Sequence, residues 1–535
     1  MEDNWPTEKI NDWVKGGIMT KSQIMARLDS RVQSGYAIGD DEKPVLDKIF
    51  GPLNSSDVSR AAFLSESAFI DLVHTKIALP RSVDTEEACK IIYESIAYLS
   101  TVPFPINRNI SSQSERAVSP PSQGLSRNEV MRGLTWALPD RYKYIIEEGP
   151  DSCHRTEGDH TRLIFQSLAI SYNEEQAHNS RPASQMKRDG DEDEIYEDLL
   201  DVLYSTQEIA HPRFSPVHRD NLRLLAARLS AESNLPSLME LGIPIQRFEA
   251  LVKVLLALQF QPPAKPSDFT TPARAVTACF TQNGADTSVI TWPMFERSIH
   301  NDARYLFAPL YRLLSTTFFD KSSTIDVLDA SEAPASPPQD GKGEVILTRP
   351  LQSQLSIFLA ASAYFGWLYR ANHFAVTGAD QVTPRALVSA LQSVPDEAIL
   401  VVSGKSDSGE RCTFGLFSPR PREDGASIQT DVNPKNAGQE RCALFQLEPV
   451  HNIFKGAIGR PGWSIDEARG SVAFGQGGGV SLVLEDMLRR AVFRHESNER
   501  GDGASKASYP ASAWGGDWSA TFDVTSIEIW SEREE

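Results

Sequence analysis

Several stretches of this chain carry residue types at spacings that could do chemistry. Residues 475–479, GQGGG, place four glycines within five positions directly after the apolar Val472-Ala473-Phe474. Such a cluster cradles a phosphate when its backbone N–H groups open a helix. A dinucleotide fingerprint starting at Gly475 needs its third glycine at position 480, where Val480 stands, and no Lys-Ser or Lys-Thr follows to complete a P-loop. Val480, Leu482 and Leu484 instead alternate with Ser481, Val483 and Glu485, so the spacing predicts a β-hairpin whose glycines supply positive φ or close backbone approach. Gly404-Lys405-Ser406 also follows an apolar strand as a P-loop would, but Ile399 occupies the position of the required first glycine, and Asp407-Ser408-Gly409 reads as a turn into another strand.

Metal chemistry fails on the same kind of count. Asp189, Asp191 and Asp193 fit positions one, three and five of a calcium loop, yet Glu194 replaces the obligatory glycine and Leu200 the bidentate Glu. A second stretch, 283–295 (NGADTSVITWPMF), keeps the hydrophobic loop residue Ile290 but puts Ala285 and Met294 at ligand positions, the pattern of an EF-hand that holds its shape without its ion. Cys153-His154 with His160 lacks a second ligand pair. The tripeptide ERC occurs twice, at 410–412 and 440–442; a neighbouring Arg can activate a thiol, but side chains alternate along strands, so Cys412 and Cys442 read as two buried cysteines of a sheet. Neither a G-x-S-x-G elbow nor an H-E-x-x-H helix is present. The expectation is a chain without catalytic, cofactor or metal residues.

The elements that carry these stretches fall into two regimes. Up to about residue 320 the apolar spacing is helical: Ile245, Phe248, Leu251, Val252, Leu255 and Leu256 share one face, and 294–319 repeats the pattern with a break expected at Pro309. Ser- and Pro-rich or charged insertions interrupt this helical region at about 107–126 and 173–194, and residues 321–345 read as a linker. Beyond it, 346–535 reads as a second domain. An uncharged run, 351–369, lies between Arg349 and Arg370; its apolar part is too short to span a bilayer, and Leu351, Leu355, Phe358 and Leu359 mark a buried helix. A further helix follows Thr383-Pro384, and then short strands give an antiparallel sheet, an α+β organisation.

The composition sets the outer bounds. A net charge of −19 over 535 residues, without a basic run, argues against nucleic-acid binding. Five scattered cysteines suit the reducing cytosol rather than a disulfide framework. The start, MEDNWPTEKI, shows no secretory leader, and Glu2 stands where N-myristoylation requires glycine.

Six pieces in order give a more specific likeness: WLYRANHF closing the expected helix, PDEAILVVSG, CTFGLFS, ALFQLEP, GSVAFGQGGGVSLVLEDMLRRAVF and FDVTSIEIW. Together they resemble the TLDc domain of the oxidation-resistance family, and the preceding helices, above all VITWPMFERSIHNDARYLFAPLYRLL, resemble the fungal restriction-of-telomere-capping branch. The resemblance implies degenerate EF-hand-like helix pairs followed by a TLDc β-sandwich with flanking helices. It also implies a non-enzymatic adaptor that binds subunits of the vacuolar proton-pumping ATPase, controls its assembly or disassembly and supports oxidative-stress resistance, from the cytoplasm with peripheral recruitment to the vacuole surface. A thiol-based redox enzyme or peroxide sensor using Cys412 or Cys442 is the alternative. Residues Phe474, Gly475, Gly478, Gly479, Glu528 and Trp530 are the candidates for partner contact or for marking the fold. Strict alternation along FDVTSIEIW would put Phe522, Val524, Ser526, Glu528 and Trp530 on one face and Asp523, Thr525, Ile527 and Ile529 on the other, leaving Glu528 to accept hydrogen bonds from backbone or an Arg.

Overall fold

The structure is a computed structural model describing residues 5–17, 19–34, 37–50, 63–105, 124–146, 155–171, 194–207, 217–233, 237–281, 288–321, 328–329, 345–359, 368–376, 382–394, 397–418, 442–457, 462–496, 507–512 and 516–532. It divides into two compact units, one formed by Met1–Leu251, Asp286–Glu296 and Leu310–Ser323, the other by Val252–Ala285, Arg297–Pro309 and Thr324–Glu535.

The first unit is helical. Its short strands are antiparallel: Phe63–Leu64 pairs with Leu125–Ser126, and Leu241–Pro244 lies between Ile170–Ser171 and Val289–Thr291, with Ile290 fully buried opposite Ile243. The strands at 63–64, 125–126, 241–244 and 289–291 lead into the helices Glu66–Ile77, Arg127–Ala137, Ile245–Ala257 and Trp292–Asn301 respectively. These helix starts are set locally. Ser65 accepts from Ala68 N at 3.2 Å, and Ser126 and Glu129 form a reciprocal capping box that satisfies two otherwise unpaired N–H groups. The loop residues Asp189, Asp191, Asp193, Asn283 and Ala285, and Cys153 and His154, lie outside the described residues. The helical face read from 245–256 is present, with Phe248, Leu251, Val252, Leu255 and Leu256 all buried. The break expected at Pro309 comes earlier: one helix ends at Asn301 and the next runs Ala308–Phe319, so Pro309 sits in a first turn, where its missing N–H costs nothing.

The second unit is built on ten antiparallel strands: β1 Leu368–Ala375, β2 Ala398–Ser406, β3 Arg411–Ser418, β4 Ala443–Glu448, β5 Asn452–Lys455, β6 Trp463–Asp466, β7 Ser471–Phe474, β8 Val480–Glu485, β9 Arg490–His495 and β10 Trp518–Glu532. Their order is β5-β4-β3-β2-β10-β9-β8-β7-β6, with β1 also on β10. The 15-residue β10 belongs to both halves of the sheet. Residues 518–523 pair with β9, whereas 526–532 lie between β2 and β1. The two halves enclose one apolar core, where Leu400, Phe414 and Leu416 meet Phe474, Leu482 and Phe493, making the sandwich that the resemblance implies. A second core lies on the opposite face of β2–β4 (Val401, Phe445, Leu447, Trp530), packed with Leu351 and Leu355 of the helix Arg349–Ser356.

Two local expectations are corrected. The helix read over 351–369 ends at Ser356, and Leu368–Ala375, which carries most of WLYRANHF, is strand β1 because it completes the edge of β10. Along β10 the strict alternation is broken. The pairing with β2 slips between Val524 and Ser526, a β-bulge that leaves Thr525 unmatched, so Phe522 and Val524 share the inner core with Ile527 and Ile529 while Trp530 lies in the other.

Candidate functional site

The glycine hairpin is a joint in the sandwich. Phe474 at its start is fully buried in the inner core, and Val472, Ala473 and Phe474 pair with Leu484, Val483 and Leu482. Gly475, Gly477, Gly478 and Gly479 all have φ between +79° and +96°. At Gly475 an added Cβ would stand 2.4 Å from Val480 O, and at Gly479 2.4 Å from Tyr509 O, so a side chain is excluded at both positions by backbone as well as by φ. The turn is fixed to the segment 507–509: Val480 N donates to Tyr509 O at 2.8 Å and Ser508 N to Gln476 O at 2.8 Å. Of its own N–H groups, Gly475 N donates to Gly462 O at 2.9 Å and Gln476 N to Ser508 Oγ at 3.2 Å, and the turn leads from β7 into β8 rather than into a helix. Of the predicted residues here, Gly478 alone is exposed; Phe474, Gly475 and Gly479 are buried.

Glu528 is fully buried on β10. Its Oε1 accepts from Ile346 N at 3.1 Å and from Arg370 Nη1 at 2.9 Å, and its Oε2 from Leu347 N at 3.1 Å and Trp530 Nε1 at 2.9 Å. Arg370, contributed by β1, is itself nearly inaccessible. A carboxylate with four donors and a guanidinium is a compensated buried charge, and it ties the segment before the helix Arg349–Ser356 to two strands. Glu528 and Trp530 therefore meet each other, whereas Phe474 belongs to the other core.

The thiol chemistry has no activated sulfur among the described cysteines. Burial is the main cause that raises the thiol in every case: Cys89 to about 12, Cys279 well above its ordinary value, and Cys412 and Cys442 above theirs. On β3 the exposed Arg411 and the buried Cys412 alternate, and Arg411 is turned to Glu448, with Nε–Oε2 at 3.2 Å. The buried histidines are likewise bound to backbone carbonyls, His74 to Leu79 O, His160 to Ala137 O and His495 to Gly516 O. Gly404-Lys405-Ser406 ends β2 and turns directly into β3, with Lys405 opposite Arg411.

The surface that sequence reasoning missed is the outer face of the β7–β10 half. Register aligns Ala473, Val483, Val492 and Thr521 in one row across four strands, all half-buried. Ser481, Arg494 and Ser519 flank it on one side, and Glu485, Arg490 and Asp523 on the other. An apolar row between polar rows is the anatomy of a protein-binding patch. Its signal in the sequence was the Val483 and Val492 that interrupt the polar face of an otherwise alternating pattern. No helix among the described residues is long and apolar enough to cross a membrane.

The comparisons with known proteins agree with this architecture. The family model for the TLDc domain matches residues 343–533. Among curated proteins, the chain is similar to "Restriction of telomere capping protein 5" of Colletotrichum graminicola, 30% identical over 142 residues, and to the protein of the same name from Neurospora crassa, 28% identical over 150 residues. The matches cover 23% and 24% of this chain and 22% and 23% of those relatives' length. The ten-stranded sandwich, its buried glycine joint and its Glu528–Arg370 tie thus lie in a stretch that belongs to the TLDc domain family.

Proposed function

We propose that this chain is a non-enzymatic adaptor whose TLDc domain binds peripheral subunits of the vacuolar proton-pumping ATPase, controls the assembly of that pump and thereby supports oxidative-stress resistance. It works in the cytoplasm and is recruited to the vacuole surface by this partner. The observation that carries the reading is the row Ala473, Val483, Val492 and Thr521, half-buried and edged by charged residues of both signs, on a domain whose described thiols are held protonated by burial. A surface of this kind recognises a folded protein rather than a small substrate.

Affinity purification of the tagged chain, at fixed salt and ATP, tests it. Pump subunits are expected with the wild-type chain and are expected to fall at least tenfold with Val483→Lys plus Val492→Glu, an opposite-charge pair across β8 and β9 that avoids facing like charges, with the melting temperature of the variant measured alongside to separate a lost contact from a lost fold. Recovery of no pump subunit by the wild-type chain, with a known pump-binding control working alongside, would overturn the proposal. Undiminished recovery by the double variant would move the contact off this face. Changing Cys412 and Cys442 to Ser should leave protection of cells against peroxide intact.

A further inference from the structure

The segment 507–512 lies along the glycine joint, and its two ends are held differently. At one end Tyr509 is fully buried in the inner core, and Ala457 N donates to Ser508 O at 2.7 Å, beside the bonds of Ser508 and Tyr509 to the turn. At the other end Ser512 is exposed, and its N–H donates to Nε2 of His495, the last residue of β9, at 3.0 Å. The other ring nitrogen of His495, Nδ1, lies 2.9 Å from Gly516 O. These two partners leave one assignment: Nδ1 carries the proton and Nε2 accepts. The ring is buried against Phe454 of β5 and stacked on Trp518 of β10, with the stacked centroids 5.7 Å apart.

A second proton on this ring has no acceptor. Nε2–H would point at the N–H of Ser512, so the imidazolium and the Ser512 bond exclude each other. Burial disfavours the imidazolium and holds the ring below its ordinary value, against the Gly516 carbonyl and Asp517, which favour it. Asp517 is the charged group acting on the ring; β8 brings Val480, β5 Phe454 and β10 Trp518, and the chain neighbours Arg494 and Glu496 are exposed. The folded chain therefore favours the neutral ring, a contribution complete above the unfolded value of about 6.5 and lost as pH falls through the lower folded one.

This contact adjoins the proposed binding face. His495 pairs with Trp518 directly beyond Arg494 with Ser519, part of the polar row that flanks Ala473, Val483, Val492 and Thr521. We propose that His495 is a proton-operated clasp on that face. Acid takes the acceptor from Ser512 and frees residues 510–512, and the β9–β10 ladder loosens beside Arg494 and Ser519, so the partner is held at neutral pH and released in acid. Release of the partner rests on the reading of this face as the pump contact, whereas the clasp stands without it.

Amide exchange on the full chain at pH 7.5 and pH 5.0, expressed as protection so that the intrinsic effect of pH is removed, tests the clasp. Protection of the Ser512 amide should fall at least tenfold in acid while the amides of β2 and β3 keep theirs. His495→Gln, whose side-chain oxygen accepts and does not titrate, should show equal protection of Ser512 at both pH values. An unchanged Ser512 in the wild-type chain would overturn the proposal, and so would a His495→Gln chain that keeps the wild-type response. Should that variant fail to fold, the wild-type comparison decides. Purification of pump subunits by the tagged chain at the same two pH values reads the consequence. Recovery should fall at least threefold in acid with the wild-type chain and not with His495→Gln, the pump-binding control staying constant. Equal wild-type recovery at both values, with Ser512 released, would overturn the regulation. Recovery at neither value would remove the pump as partner, while the exchange result still decides the clasp.

Discussion

Glu528 shows how one residue is constrained by its surroundings. Its four hydrogen bonds and the Arg370 ion pair are all buried, so removing the carboxylate leaves a guanidinium without its counter-charge. Glu528→Ala is expected to lower stability by about 3–5 kcal/mol, read as a drop in melting temperature of the full chain, and an unchanged melting temperature would refute this. The glycines give a graded test. Gly479→Ala meets Tyr509 O at φ +79° and should lose about 1–3 kcal/mol, while Gly462→Ala, with nothing within 4 Å, should lose almost nothing in the same melt. His160 gives a pH signature. Buried beside Tyr142 and Tyr311, its imidazole is lowered to about 4 by loss of hydration. The folded ring stays neutral while the unfolded ring takes a proton near 6.5, so its contribution is full above that pH and is lost as pH falls toward 4. The difference corresponds to about 3 kcal/mol by the usual conversion of a pKa shift. Urea unfolding at pH 7.5 and pH 4.5 should therefore show a smaller acid loss for His160→Gln than for the wild-type chain.

At the scale of elements, the helical unit is held by its caps and by a buried ionic network. Arg162 binds Asp198 through both terminal nitrogens at 2.8 Å, and Arg155 and Arg219 converge on Asp201 at 2.9 and 2.6 Å, joining the helix Glu157–Leu168 to Glu194–Ser205. Asp198 is held below the usual carboxylate range by Arg162 and Arg155, against the cost of burial. Asp198→Ala would take from the buried Arg162 its two-pronged carboxylate and leave Arg155 with Asp201, so it should cost more than Ser126→Ala, which removes a capping box worth about 1 kcal/mol. Chemical denaturation of the two variants side by side makes the comparison, and equal losses would mean that the network contributes no more than a cap. In the sandwich, the bulge at Thr525 is the corresponding device. It lets one long strand serve two half-sheets, because the slip turns Ile527 and Ile529 into the same core as Phe522 and Val524.

For the whole molecule, the unit that holds the sheet is larger than the stretch matched by the family model. Val252–Ala285 and Arg297–Pro309 belong to it, through Ser353 Oγ to Leu256 O at 2.8 Å, Tyr305 N to Ile357 O at 2.8 Å and, at β5, His451 N to Ala275 O and Ile453 N to Asp302 Oδ1, both at 3.0 Å. A chain starting at residue 343 should therefore melt well below the full chain and expose the edge of β5, with faster exchange at Ile453; equal exchange in the two would show that the earlier residues add nothing there. Local period determined what it could. Alternation in 480–485 and the glycines before it gave the hairpin, and helical spacing gave Ile245–Ala257, because both depend on which side chains a short element must bury. The failed motifs were legible too, since a missing glycine or ligand is visible in one dimension. Tertiary structure alone decided that 368–375 is strand, because only the β10 edge and Glu528 give that mixed stretch, with Arg370, Asn372 and His373 in it, a reason to extend. It alone placed the bulge, which answers to the meeting of two half-sheets, and it alone brought Ala275 and Asp302 to β5, since hydrogen bonds between residues 176 and 151 positions apart leave no periodic trace in the sequence.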